Sequence, residues 1–116
     1  MKTVYLAGKI TGDPQYKKKF FRAAHELTAA GFVVLNPAML PPSGFEYAAY
    51  IRMSAAMLDE CEAACFLSDW KDSEGAVSEH RRAAAQGKEI FFFEEWRQKL
   101  KEAAAEAGQR GLQYAT

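Results

Sequence analysis

The strongest constraint on the fold is an alternation. Four short apolar runs rich in β-branched and aromatic residues, at 3–7, 32–35, 63–67 and 89–93, are each followed by a longer segment, and no two of them are joined by a hairpin turn. Runs of that length and composition suit strands buried on both faces. The longer segments carry helical signals. Asp13 supplies an N-cap and Pro14 a first helical residue, and Tyr16, Phe20, Ala24 and Leu27 recur at helical spacing until Gly31. From Tyr47, the residues Tyr50, Ile51, Ser54, Leu58 and Cys61 share one stripe of a second helix, with Ser54 as a polar residue on that stripe. A third, alanine-rich helix follows the polar turn at 69–75 and stops at Gly87. On a fourth, Glu94 and Glu95 sit at the favourable N-terminal end, and Trp96, Leu100, Ala103, Ala104 and Ala107 form the apolar face before Gly108. The prolines between 37 and 42 make that stretch a loop. Residues 109–116 receive no assignment, so a single domain is expected over 1–108 with a short tail.

Strands that alternate with helices, without hairpins, form a parallel sheet through right-handed crossovers. The expected fold is therefore a small α/β domain, doubly wound in the flavodoxin or Rossmann manner, with four or five parallel strands and helices on both faces. The chain has 116 residues, enough to bury a core without disulfides. Cys61 and Cys65 read as buried thiols, and neither histidine has a partner at metal-ligand spacing, so no metal is expected. Fifteen basic and 15 acidic residues leave no net charge, which argues against polymeric nucleic acid or an anionic membrane as partner. No apolar stretch approaches the roughly 20 residues of a membrane span, and the expected location is the cytoplasm.

Folds of this kind bind small ligands beyond the carboxyl ends of the strands, at the point where strand order reverses. Two loops then carry the chemistry. In the loop after the first strand, Gly8 and Gly12 allow close backbone approach to an anion, while Lys9 and Thr11 add a charge and a hydroxyl. The segment is neither a P-loop nor a dinucleotide-binding fingerprint, and its glycines are equally explained by a tight strand-to-helix turn. In the loop after the third strand, Ser73 and Gly75 open a helix whose free N–H groups suit a phosphate, and Glu79 lies one turn inside. The plainer reading makes Ser73 an N-cap and Glu79 a surface carboxylate. Trp70 either stacks on a ligand's base or packs over the sheet edge. Lys17, Lys18, Lys19 and Arg22 form a basic run on the first helix, read as a solvated face.

Three segments together carry a resemblance: Y-L-A-G-x-I-T-G from Tyr5 to Gly12, N-P-A from Asn36 to Ala38, and W-x-x-S-x-G-A-x-x-E from Trp70 to Glu79. In their order and placement the chain resembles the nucleoside 2-deoxyribosyltransferase superfamily, and within it a small phage and bacterial branch near the 2-deoxynucleoside 5′-monophosphate N-hydrolases. The resemblance implies cleavage of the N-glycosidic bond of a nucleoside or its 5′-monophosphate, by hydrolysis or transfer. Glu79 then matches the nucleophile, Tyr5 a tyrosine near the sugar, and Ser73, Gly75 and the loop holding Gly8, Lys9, Thr11 and Gly12 the phosphate site. It also implies a homo-oligomer that needs no cofactor. The chain departs from its relatives at Ser54, where they carry an aspartate that assists the leaving base. Asp69 and Asp72 are the carboxylates offered in its place, because Asp59 falls on another side of its helix. The alternative is a nucleotide-binding or sensing module with little turnover. Base preference is expected to rest on side chains of the loop at 37–47.

Overall fold

The computed structural model describes residues 2–115, with side chains through residue 108. Strands β1 (Thr3–Ala7), β2 (Val33–Leu35), β3 (Ala63–Phe66) and β4 (Glu89–Phe92) alternate with helices α1 (Tyr16–Ala29), α2 (Tyr47–Asp59), α3 (Glu74–Ala85) and α4 (Phe93–Ala115). They form one parallel sheet in the order β2-β1-β3-β4. The register places Tyr5 beside Leu35 and Ala64, and Ala7 beside Phe66. Strand order reverses at β1, so the carboxyl end of β1 is the ligand-binding position expected of this fold.

Period-two alternation on β1 divides the core into two layers. Val4 and Leu6 face one side, where Phe20, Ala23 and Leu27 of α1 and Phe93 of α4 bury against them. Tyr5 and Ala7 face the other, against Leu58 of α2 and Ala83 of α3. The sheet is thus covered on both faces, as the alternation of elements demands. Phe20, Leu27, Leu58 and Phe66 have no exposed surface, and each such side chain contributes about 1.5–3 kcal/mol through burial. Arg82 of α3 grips Asp59 at the end of α2 through two hydrogen bonds of 2.7 and 2.6 Å, which fixes these two helices side by side. That engagement turns Asp59 toward α3.

Three boundaries differ from the sequence expectation. α1 begins at Tyr16, not at Pro14, because the Asp13 carboxylate accepts from the Gln15 N–H at 2.8 Å and closes a turn ahead of the helix. The loop after β2 contains a 3-10 turn at Pro37–Met39, capped by the Asn36 side chain on the Ala38 N–H at 3.0 Å. α4 starts directly after β4 and continues through Gly108 to Ala115. A glycine inside a helix costs only about 1 kcal/mol relative to alanine, which neighbouring good helix formers offset. The segment assigned to no element is therefore helical as far as Ala115, and Thr116 lies outside the described residues. No helix among the described residues is long and apolar enough to cross a membrane.

Candidate active site

A cavity of about 440 Å³ opens at the carboxyl end of β1. Tyr5, Ala7 and Gly8 line it from the sheet, Ser73, Gly75, Ala76 and Glu79 from α3 and its cap, and Tyr50, Ile51 and Ser54 from α2. The sheet positions Tyr5 because the inward side of β1 that faces α2 and α3 holds Tyr5 and Ala7 alone among its buried residues. A helix beginning at Glu74 brings Glu79 over that strand.

The Tyr5 hydroxyl donates a short hydrogen bond to Oε2 of Glu79. Burial pushes the Glu79 carboxyl up from its ordinary value to about 7, while the Tyr5 bond acts to lower it. The Tyr5 phenol is held well above its usual range, first by burial and then by the Glu79 charge, with hydrogen bonding by Ser54 working in the other direction. Near neutrality Glu79 is therefore divided between acid and anion. A carboxyl in that state can attack an electron-poor carbon as the anion, or hold and release a proton. Glu79 is the only acidic residue on the cavity wall, and no Lys or Arg stands there among the described residues.

Ser73 both reaches the cavity and caps its helix, accepting from the Ala76 N–H at 3.1 Å. Thr11 lines the opposite side with Ile10. Gly8 is required by close approach: a Cβ there would lie 3.0 Å from Leu67 Cβ and 3.2 Å from an Asp69 oxygen. Gly12 adopts a φ of 82° and turns the chain toward α1, and it stands outside the cavity wall.

Four further residues that the sequence offers for the site are placed elsewhere. Asp69 accepts from the Lys9 N–H at 3.1 Å and pairs with Lys19, so its carboxylate joins the loop after β3 to the loop after β1 and to α1, and it does not line this cavity. Lys9 accordingly contributes its backbone to that junction, and its side chain is absent from the wall. Asp72 is exposed, its N–H donating to the Asp69 carbonyl at 3.0 Å, and it does not reach the cavity. Neither loop aspartate lines the cavity. Trp70 is stacked on His80, with ring centroids 4.5 Å apart, and lies edge-on to Phe66 at 5.4 Å. It packs over the sheet, as the plainer reading has it. No cluster of His, Cys, Asp and Glu among the described residues is arranged to hold a metal ion.

The rest of the wall is apolar and aromatic. Pro37, Leu40, Pro41, Pro42, Phe45 and Tyr47 come from the loop between β2 and α2 and its junction with the helix. Tyr50 fastens this loop to α2 by donating to the Pro41 carbonyl at 2.6 Å and meets Phe45 edge-on at 5.8 Å. Tyr16 and Ile10 complete it from the α1 side. The sequence signals Tyr16 and Ile51 only as members of helical stripes. Their place on the wall arises because both helices start at the strand-end side of the sheet.

The 2-desoxiribosyltransferase from Leishmania mexicana has a similar structure, with a TM-score of 0.62 at 21% identity, over 79% of this chain and 63% of that one. The chain thus spans less than two thirds of that enzyme's length. At this identity the likeness establishes a shared α/β fold. No curated protein matches the sequence. The family model described as "Domain of unknown function (DUF4406)" matches residues 2–92, from the start of β1 to the end of β4, and the chain belongs to that family.

Proposed function

We propose that this protein cleaves the N-glycosidic bond of a nucleoside or deoxynucleoside, or of its 5′-monophosphate, with Glu79 as nucleophile. The observation that carries the reading is the half-buried Glu79 carboxyl, bonded to the Tyr5 hydroxyl, on the wall of a cavity large enough for such a ligand. The Glu79 oxygen attacks the anomeric carbon as the bond to the base breaks, and the base leaves with the bonding electrons. Water, or a second base, then displaces Glu79 from that carbon and regenerates the carboxylate. Developing positive charge on the sugar favours the ionised form of Glu79 at the moment it is needed. Tyr5 positions the carboxylate, the aromatic loop wall receives the base, and Ser73, Gly75 and Thr11 face the sugar or its phosphate. The fold shared with a 2-desoxiribosyltransferase agrees with this assignment. We assign the activity to a cytoplasmic homo-oligomer.

Peptide mass mapping after quenched incubation with a panel of nucleosides and 5′-monophosphates tests the covalent step. A glycosyl adduct on the peptide containing Glu79 is expected. Base release accompanied by an adduct on another residue would overturn the assignment. A second reading, a nucleotide-binding module without turnover, is favoured by one observation: Ser54 stands on the wall and no second carboxyl joins Glu79 there. Tight binding with no base released from any member of the panel would select it.

A further inference from the structure

When the glycosidic bond of an ordinary nucleobase breaks, the electron pair goes to a ring nitrogen, and a proton delivered to the base makes it a far better leaving group. The Glu79 cavity is poorly equipped to deliver one. Glu79 is the single carboxyl on the wall among the described residues, and as nucleophile it has no proton to give in that step. Ser54 is a hydroxyl and not an acid near neutral pH. The Tyr5 hydroxyl hydrogen is directed at Glu79, and that of Tyr50 at the Pro41 carbonyl. Asp69 and Asp72 stand off the wall, and no histidine lines it among the described residues. Residues 109–116 contain no Asp, Glu or His.

The electrostatics of the wall favour one kind of ligand. Glu79 is also its single charged side chain among the described residues, so once ionised it leaves the cavity negative with no cation on the wall to balance it. The side facing the loop after β2 is aromatic, with Tyr16, Phe45, Tyr47 and Tyr50 around the opening. Phe45 and Tyr47 are each more than half exposed, so their rings are open to a planar ligand. Aromatic faces attract cations, more strongly as water is displaced. Neither Asn nor Gln lines the wall among the described residues, so the side-chain amides that match the hydrogen-bonding edge of a neutral base are missing there.

Resting on Glu79 as the glycosidic nucleophile, we infer that the cavity serves nucleosides whose base already carries a positive charge, such as N7-alkylated purine or N-ribosyl pyridinium compounds. In these the C1′–N bond breaks with its electron pair cancelling the charge on the ring, so the base departs neutral and needs no proton. A Glu79 carboxylate oxygen forms the new bond to C1′. Water then displaces it, the water oxygen joining C1′ and a proton passing to solvent, and the carboxylate is restored. The charge that makes the base a leaving group is the same charge that an anionic, aromatic cavity attracts.

Base release from 7-methylguanosine and guanosine, and from their 2′-deoxy counterparts, tests this, measured chromatographically near neutral pH with the rate without protein subtracted. The methylated member of each pair is expected to be cleaved about a hundredfold or more faster, the scale on which a missing general acid slows the neutral one. Ser54→Asp, which adds a carboxyl to the wall, should narrow that ratio by speeding the neutral member. Tyr47→Leu should narrow it about two- to fivefold by weakening capture of the cation. Tyr47 is exposed, so this variant should keep the wild-type melting temperature. Comparable release from both members of a pair, or faster release from the neutral one, overturns the inference and leaves the glycosidic reading in place. Release from other nucleosides but from none of these four does the same, and release from no nucleoside at all overturns both.

Discussion

Tyr5 on the central strand donates its hydroxyl hydrogen to Glu79 on α3, joining two residues 74 positions apart in the chain. The bond holds a half-buried carboxyl whose loss of water favours the protonated form, and the Tyr5 contribution opposes that tendency. Phenylalanine at position 5 should therefore raise the Glu79 value further. The Tyr5→Phe variant is expected to release base about ten- to a hundredfold more slowly at neutral pH, with its pH profile displaced to the alkaline side. A slower rate with an unshifted profile would show that Tyr5 acts on the sugar and not through Glu79.

The same carboxyl links stability to pH. Its folded-state value, about 7, lies above the ordinary 4.5, so the folded chain holds this proton more tightly than the unfolded chain does. Below pH 4.5 both states are protonated and the group imposes no penalty. As pH rises from 4.5 through 7 the folded state loses up to about 3 kcal/mol relative to the unfolded one. Glu79→Gln should abolish this contribution. Denaturant melts at pH 5 and pH 8 should show the variant gaining on wild type at the higher pH, and equal pH dependence in both would contradict the burial of Glu79.

Asp69 latches the two site loops. Asp69→Ala removes the acceptor for the Lys9 N–H and the partner of Lys19, and should cost about 1–3 kcal/mol of stability. Asp69→Asn keeps the acceptor and should recover part of that loss. In turnover, both substitutions should raise KM more than they lower kcat, because the latch shapes the wall and takes no part in the chemistry. A loss confined to kcat would make Asp69 a participant.

Two glycines of the site separate fold from function. Gly8→Ala places a Cβ 3.0 Å from Leu67 Cβ and should destabilise the chain by about 1–3 kcal/mol. Gly75→Ala meets nothing closer than 3.7 Å and stands on the cavity wall. It should leave the melting temperature within a few degrees of wild type while weakening ligand binding. Thermal melts beside ligand titrations check both.

The fold was legible because burial on both faces leaves a period-free apolar strand, and the four such runs alternate with helices that have their own stops. Right-handed crossovers predicted the parallel sheet, and the doubly wound expectation placed the chemistry in the loops after the first and third strands. Tyr5 and Glu79 were singled out by the resemblance of their segments, and Ser73 by its place at a helix start, whereas the residues alone left Ser73 readable as an N-cap and Glu79 as a surface carboxylate. Loop side chains have no fixed direction. Asp69 is taken up by Lys19, 50 residues away, and Trp70 by His80, and neither partner is marked by spacing. The wall from Pro37 to Tyr47 depended in the same way on Tyr50 fastening the loop at Pro41.

The central claim is that Glu79 performs chemistry on a glycosidic bond. Free-base release by wild type and by Glu79→Gln, measured chromatographically over deoxynucleosides, nucleosides and their 5′-monophosphates, with calorimetric binding of the same ligands, tests it most directly. The account expects release by wild type, none by Glu79→Gln, and comparable ligand binding by both. Equal release by the two proteins would contradict it.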